Sequence, residues 1–366
     1  MRLLTVLLLL MMSTLLFAID APTKTVAAGD TLRLAFVGDI MVHASQISGA
    51  LTASGDYDFG PSFRQVAPIL SAADLAIGNL ETVCATSPPT GYPRFNAPVS
   101  LLDALADAGF DVLSLANNHS CDQGGAGLEQ TLAATAERRL HTIGVDGRQP
   151  LVVEVNGAWI WLAAYTYGSN LAAKGDVAPA MLDAERIRAD LAAAVADYRI
   201  VMLHWGVEYR RRPSAEQVTL ADSLLAWGAD AIIGSHPHVI QPLRHDERGL
   251  VAYSLGNFIS AQREGNPGVR WTEDGVILVL TLQKSADGLR LAAVDTLPTW
   301  VHRRRRTDGS WRYAILPTSF ATDMEKDPLR SHLEQSERDT RQALAQPMAK
   351  PCGQEVLDGT KGLPID

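Results

Sequence analysis

Tyr198-Arg199-Ile200-Val201-Met202-Leu203-His204-Trp205-Gly206 and its counterpart Ala231-Ile232-Ile233-Gly234-Ser235-His236-Pro237-His238 decide how this chain is read. Each is a short, continuous apolar run that empties into a turn carrying histidine, the pattern of a buried strand with a polar exit. Histidine is a costly choice there unless it has a partner. His236 and His238 stand two residues apart, so in extended backbone their imidazoles would project from one face about 6 to 7 Å apart, a spacing that suits adjacent ligands. Pro237 between them fixes one φ and removes a backbone donor. The other histidines at 141, 245, 302 and 332 sit at no such exit and read as solvated or satisfied side chains.

Outward from these runs the pattern repeats. Residues 32–37 lead into Gly38-Asp39-Ile40-Met41, residues 75–77 into Gly78-Asn79-Leu80-Glu81, and residues 111–115 into Ala116-Asn117-Asn118-His119. Residues 249–254 lead into Leu255-Gly256-Asn257-Phe258. Helical spacing predicts helices at 100–108, 124–139, 184–196 and 215–227, with a further helical region around Phe63, Val66, Ile69 and Leu70. Asn156-Gly157, between apolar runs at 151–154 and 158–163, is a hairpin signal expected to open a more antiparallel half, continued by strands at 276–282 and 289–294. Strands alternating with helices predict an α/β fold, and the later hairpins a sandwich of two sheets. Asp39, Glu81, Asn118, His119, His204 and His236 all fall within a few residues of a strand's carboxyl end, where open α/β sheets build their sites.

The whole chain sets the bounds. At 366 residues, 47% apolar and 20% charged, it has ordinary globular composition. Its net charge of -9 argues against a broad nucleic-acid surface, so no nucleic-acid partner is expected. Met1-Arg2 precedes an apolar stretch from Leu3 to Ile19, followed by small residues at Ala18, Ala21 and Val26-Ala27-Ala28. That describes an export signal at 1–28, or an uncleaved anchor of spanning length. The expected location is periplasmic or extracellular, either free or held to the membrane by this segment. Residues 29–325 then form the main domain and 326–366 a polar C-terminal extension. Cys84, Cys121 and Cys352 are an odd number for an oxidising compartment, and a Cys84–Cys121 disulfide and two unpaired thiols remain equal alternatives.

Two carboxylates, an amide oxygen and several imidazoles make a mixed O/N donor set that suits Mn, Fe, Zn or Co better than Ca or a thiolate-bound structural zinc. One or two divalent ions are expected. A bridging Asp39 or Glu81 would hold two of them about 3.5 to 4 Å apart, where paired metals polarise an oxygen and deprotonate a shared water. In extended backbone Asn118 and His119 point to opposite sides, so that Asn118 binds metal while His119 faces substrate as a general acid. The clusters Arg210-Arg211-Arg212 and Arg303-Arg304-Arg305-Arg306 either recognise an anionic ligand or form solvated faces. Trp205, Trp271 and Trp300 either line a cleft or pack.

Taken together, the six motifs Gly38-Asp39-Ile40-Met41, Gly78-Asn79-Leu80-Glu81, Ala116-Asn117-Asn118-His119, His204-Trp205-Gly206, Gly234-Ser235-His236-Pro237-His238 and Ser254-Leu255-Gly256-Asn257-Phe258 resemble the bacterial capsule synthesis protein CapA family, linked to poly-γ-glutamate. That family is in turn similar to the calcineurin-like metallophosphatases. The resemblance implies a metallophosphatase-like four-layer α/β/β/α sandwich with metal between the sheets. It implies Asp39, Glu81, Asn118, His204, His236 and His238 as metal ligands and His119 as the catalytic histidine. Asn79, Asn257 and Arg210 are the expected substrate contacts. Two departures stand out: the phosphatase pattern Asp-x-His has Met41 at its third position, with His43 four residues on and not expected to be a ligand, and the second Gly-Asp motif is replaced by Gly-Asn-Leu-Glu, so that either Glu81 stands in as the bridge or the site holds one ion.

Two functions follow as expectations. One is an exported metal-dependent hydrolase, phosphoesterase-like or amidase-like, acting on a phosphoester or an anionic polymer in capsule or poly-γ-glutamate metabolism. The alternative is a non-enzymatic subunit that assembles or exports an anionic capsule polymer beside a membrane-bound synthase complex.

Overall fold

The computed structural model describes residues 31–347 apart from 176, 266–267, 286–287 and 325–326. The expected export segment and Cys352 lie outside the described residues. The first half of the chain runs β1 (Thr31–Ile40), α1 (Ala44–Ala50), α2 (Gly60–Phe63), α3 (Ala67–Ser71), β2 (Leu75–Leu80), α4 (Ser100–Asp107), β3 (Val112–Ser114), α5 (Gly124–Glu137) and β4 (His141–Ile143). There follow β5 (Leu151–Val155), β6 (Ala158–Thr166), α6 (Ala184–Ala193), β7 (Tyr198–His204), α7 (Ala215–Ala226) and β8 (Ala231–Ser235). The chain then forms β9 (Leu243–Asp246), β10 (Gly249–Ala252), β11 (Asn257–Ile259), β12 (Asp274–Ser285), β13 (Gly288–Arg305), β14 (Trp311–Pro317) and α8 (Leu329–Leu344).

The strands make two sheets. One has the order β14-β13-β12-β1-β2-β3-β4, with β11 beside the end of β1; the other has the order β5-β6-β7-β8-β10-β9. Alternation along the strands sorts side chains into three cores. Leu34, Phe36 and Ile77 of the first sheet meet Ile160, Ile200 and Ile233 of the second, forming the layer between the sheets. The opposite face of the first sheet, with Ala35, Val37 and Leu113, packs on Phe63, Leu102 and Leu128 of the helical layer. The far face of the second sheet, with Ala163, Val201 and Ile232, packs on Ile187 of α6 and Leu224 of α7. The result is a four-layer α/β/β/α sandwich, as the resemblance implies.

Local sequence explains the helices that matter for the site. Ser214 caps α7, its hydroxyl accepting from the Gln217 amide while the Gln217 side chain accepts from the Ser214 amide. Asp183 caps α6 through the Arg186 amide. One expectation needs correcting. The Asn156-Gly157 hairpin is present between β5 and β6, but it does not open an antiparallel half: β6, β7, β8 and β10 pair in parallel. The antiparallel strands β12, β13 and β14 return instead to the first sheet, where β12 covers the edge of β1. Helix α8, within the polar stretch read as an extension, buries Leu333 and Ala343 against this part of the fold.

Candidate metal centre

The carboxyl ends of β1, β2, β3, β7 and β8 converge. Asp39 and Asn79 are register partners across β1 and β2, and Asp39 pairs with Asn257 of β11 on the other side. Glycines permit the crowding: a Cβ at Gly38 would lie 1.9 Å from the Gly256 carbonyl oxygen, and one at Gly234 would lie 2.0 Å from that of Tyr253.

Asp39 is fully buried and accepts from Asn79 Nδ2 at 2.8 Å, and its Oδ2 lies 3.0 Å from His238 Nδ1. The His236 amide approaches both of its oxygens. Glu81 Oε1 stands 3.7 Å from His204 Nε2 and 3.8 Å from His238 Nε2. His204 is oriented by Ser235 Oγ at 3.0 Å from its Nδ1, and its Nε2 lies 2.9 Å from Asn118 Oδ1. Donor atoms of Glu81, His204 and His236 lie within 4.8 Å of one another, and so do those of Asp39, Glu81 and His238. The structure thus brings together all six residues expected as ligands.

Two further observations say what the arrangement is for. Glu81 Oε1 and His236 Nδ1 are buried without a hydrogen-bond partner, an expense that a cation in their midst removes. The electrostatics agree. Burial and the neighbouring Asp39 push the Glu81 carboxyl well above its ordinary value. Burial opposes ionisation of Asp39 too, but its hydrogen bonds from His238 and Asn79 and the histidine charges outweigh that and hold it below the ordinary value. Burial, then the neighbouring histidines, pushes His204 well down, and burial followed by His238 lowers His236 to about 3. Imidazoles facing two adjoining carboxyls form a set that fits a divalent cation by donor chemistry.

The geometry corrects how the ligands get there. His236 and His238 are not in extended backbone: their φ values are 95° and 56°, left-handed for both. Their rings still reach one site, with centroids 5.9 Å apart, because the loop curls over it. Strained backbone at non-glycine residues is characteristic of sites that hold side chains in place. Asn118 and His119 likewise lie in a tight turn rather than an extended pair. Asn117 pins that turn: its Nδ2 donates to the Leu80 carbonyl at 2.8 Å and its Oδ1 accepts from the His119 amide.

His119 stands beside the ligands with a partner that sequence reading missed. Its Nδ1 lies 2.7 Å from Asp122 Oδ2, and Phe95 packs edge-on against its ring. Asn170 Nδ2 lies 3.4 Å from its Nε2. Also missed are Tyr167, whose ring lies 4.6 Å from that of His236, and Glu208, whose carboxylate lies within reach of His236 and His238. The spacing Asn-His-x-x-Asp was the available signal for Asp122; nothing local marked the others.

The expected substrate contacts are placed otherwise. Asn79 is buried and spends its amide on Asp39, Glu81 and His204, so it supports the ligands. Asn257 is wholly buried, its Nδ2 donating to Gln262 Oε1 and the Thr272 carbonyl. Arg210 is exposed, and it is its carbonyl that holds Gln241. Arg211 lies over the Trp271 ring at 4.6 Å and donates to the Asp339 carbonyl, tying the loop after β7 to α8. Trp205 and Trp300 pack rather than line a cleft, stacking on Tyr253 and His332. His43 Nδ1 is 3.3 Å from Gln46 Oε1, and among the described residues it joins none of the ligand groups. Cys84 and Cys121 are both buried free thiols.

Comparison with known proteins agrees. A family model described as bacterial capsule synthesis protein PGA_cap matches residues 33–262. The chain is 31% identical over 264 residues to the capsule biosynthesis protein CapA of Bacillus anthracis, covering 66% of this chain and 62% of that protein's length. It is 30% identical over 289 residues to the PGA biosynthesis protein CapA of Bacillus subtilis (strain 168), covering 74% of this chain and 72% of that protein. Among solved structures, the calcineurin-like phosphoesterase YfkN from Bacillus subtilis aligns with 85% of this chain and 97% of its own at 14% identity and a TM-score of 0.41. With the family model covering more than half of its length, and two relatives at this identity, the chain belongs to the bacterial capsule synthesis protein PGA_cap family.

Proposed function

We propose that the chain is an exported, metal-dependent hydrolase that acts on a phosphoester or on an amide of an anionic polymer in capsule metabolism. The observation that carries this reading is the buried convergence of Asp39, Glu81, His204, His236 and His238, with two unpartnered donor atoms among them, beside a histidine that takes no part in the ligand groups. A bound divalent ion supplies Lewis acidity and an activated water. The residues do the rest. Asp39, Glu81, Asn118, His204, His236 and His238 hold the ion, and Asn79, Ser235 and Asn117 hold the ligands. Asp122 accepts from His119 Nδ1, which orients the ring so that in the doubly protonated imidazolium Nε2–H faces outward and can pass its proton to a leaving group. The low accessibility of the donors keeps bulk water away from the charges and strengthens their action.

A second reading has its own support. The Bacillus relatives are named for capsule or PGA biosynthesis rather than breakdown. A polymer-handling subunit with a vestigial or structural cation would carry the same ligands. Metal analysis of the purified protein, followed by turnover of bis(4-nitrophenyl) phosphate and γ-glutamyl peptides, separates the two. The hydrolase reading expects bound metal and turnover lost in His119→Ala; a metal-loaded protein inert on both panels, with polymer production unaffected by that substitution, overturns it.

A further inference from the structure

The ligand set has a gap at the third position of its first motif, and the fold places a carboxylate where it can make up the shortfall. Met41 occupies the position two after Asp39; it is buried, and its thioether is a soft donor ill-suited to a site built of carboxylate and imidazole. His43 turns its Nδ1 to Gln46 Oε1 and, although its Nε2 is buried without a hydrogen-bond partner, joins none of the ligand groups among the described residues.

On the other wall of the site, the loop leaving β7 turns at Gly206 (φ 85°) and again at Tyr209 (φ 62°), a non-glycine residue in the left-handed region. Two hydrogen bonds clamp that loop: the Tyr209 amide donates to the Pro237 carbonyl at 2.8 Å, between the two ligand histidines, and Gln241 Nε2 donates to the Arg210 carbonyl at 2.8 Å. Glu208 immediately precedes these fixed points. Its carboxylate and the donor atoms of His236 and His238 lie within 4.8 Å of one another. The independent sign of a ligand is His236 Nδ1, buried and without a hydrogen-bond partner, although the rings around it are well packed.

We propose that Glu208 is a metal ligand: with His236 and His238 it forms the outer of two adjoining cation positions, in a site whose first motif carries Met41 and not histidine at its third position. This rests on the metal-centre reading above. The buried groups of Glu81, His204 and His236 and of Asp39, Glu81 and His238 lie deeper, and Glu208, alone of these residues in being exposed, closes the side toward solvent. The cation taken by a carboxylate and two imidazoles is Mn, Fe or Zn rather than Ca.

Titration of the metal-stripped full chain with Mn(II) and Zn(II), read by calorimetry and by elemental analysis after dialysis, tests this without any assay of turnover. The wild type is expected to take up two equivalents. Glu208→Gln is expected to keep one and to bind the second at least about 100-fold more weakly, since removing a ligand costs no less than removing a group that merely supports one. Glu208→His, which restores an imidazole donor, is expected to recover the second equivalent, while Glu247→Gln on a remote turn changes nothing. Two unperturbed equivalents in Glu208→Gln overturn the assignment of Glu208 and leave the metal centre standing. A single equivalent in the wild type overturns the two-position arrangement, and a wild type that binds none overturns both this and the metal-centre reading. Circular dichroism of each stripped variant confirms that the exposed substitution has not unfolded the chain.

Discussion

Asp39 Oδ2 and His238 Nδ1 lie 3.0 Å apart although 199 residues separate them in sequence. One comes from the end of the strand at the centre of the first sheet, the other from the loop after the fourth strand of the second sheet in its spatial order. The contact between them locks the two sheets together at the site, and its energetics depend on what lies beside it.

Because Glu81 and Asp39 adjoin in a buried setting, the folded chain is expected to be markedly more stable with a divalent ion bound. At an ion concentration about 100 times the dissociation constant the gain is about 2.7 kcal/mol. Chelation should lower the melting temperature of the wild type, and Mn(II) or Zn(II) should restore it. Asp39→Asn should melt at the same temperature with and without ion, as scanning calorimetry in the presence and absence of EDTA would show.

The His119 and Asp122 pair divides proton handling from metal holding. His119→Ala is expected to keep its metal but lose turnover by about 10²- to 10⁴-fold, the usual range for a positioned acid or base. Asp122→Asn should lose less, on the order of tenfold, and should change the shape of the pH–rate profile, because it alters the partner of Nδ1 and not the imidazole itself. Unchanged metal content with lost turnover in both variants is the result that checks this division.

Gly38 gives a steric test. A methyl group there meets the Gly256 carbonyl oxygen at 1.9 Å, and relief requires β1 and β11 to part where Asp39 is held. Gly38→Ala is expected to destabilise the fold by about 1 to 3 kcal/mol, as overpacking does, and to weaken metal binding along with it. Chemical denaturation and metal titration of the same preparation measure both effects.

Asp274 at the start of β12 predicts a pH dependence away from the metal. Burial lifts its carboxyl from 3.8 to about 6 despite the opposing Arg270 guanidinium. The folded state therefore holds this proton more tightly than the unfolded state. Its contribution is complete at pH values below the unfolded pKa and is lost as pH rises through the folded one, a difference of about 3 kcal/mol across that interval. Asp274→Asn should remove this component, so the wild-type and variant curves of stability against pH should differ in slope between about pH 4 and 6.

Much of this was legible in the amino acids because the site sits at strand exits. Apolar runs ending in Asp39, Glu81, Asn118, His204 and His236 point to both the strands and the residues proposed as ligands, since a polar residue closing a buried run requires a reason. What was not legible depends on long-range pairing. The strand β14 alternates weakly, and β13 runs from Gly288 to Arg305 through Pro298 and three of the four consecutive arginines, so that only its 289–294 part reads as strand and its end as a charge cluster until β12 and β14 are seen on either side. The backbone of His236 and His238 was misread because alternation assumes extension, whereas contact with Asp39 and the Tyr209 loop holds both residues left-handed. Glu208 carried no local mark at all, for its role arises only when the loop after β7 is clamped to Pro237.

The late return of β12 to the flank of β1 has a practical side. Every proposed ligand lies before residue 262, so a fragment trimmed there would contain the full chemistry of the pocket. It would nonetheless leave Leu32 to Phe36 without the neighbours Leu282 to Leu278, baring a row of unsatisfied amides and carbonyls on an apolar ribbon. Such a fragment should stick to its own copies rather than bind metal, and recombinant boundaries for this family are safer drawn beyond α8.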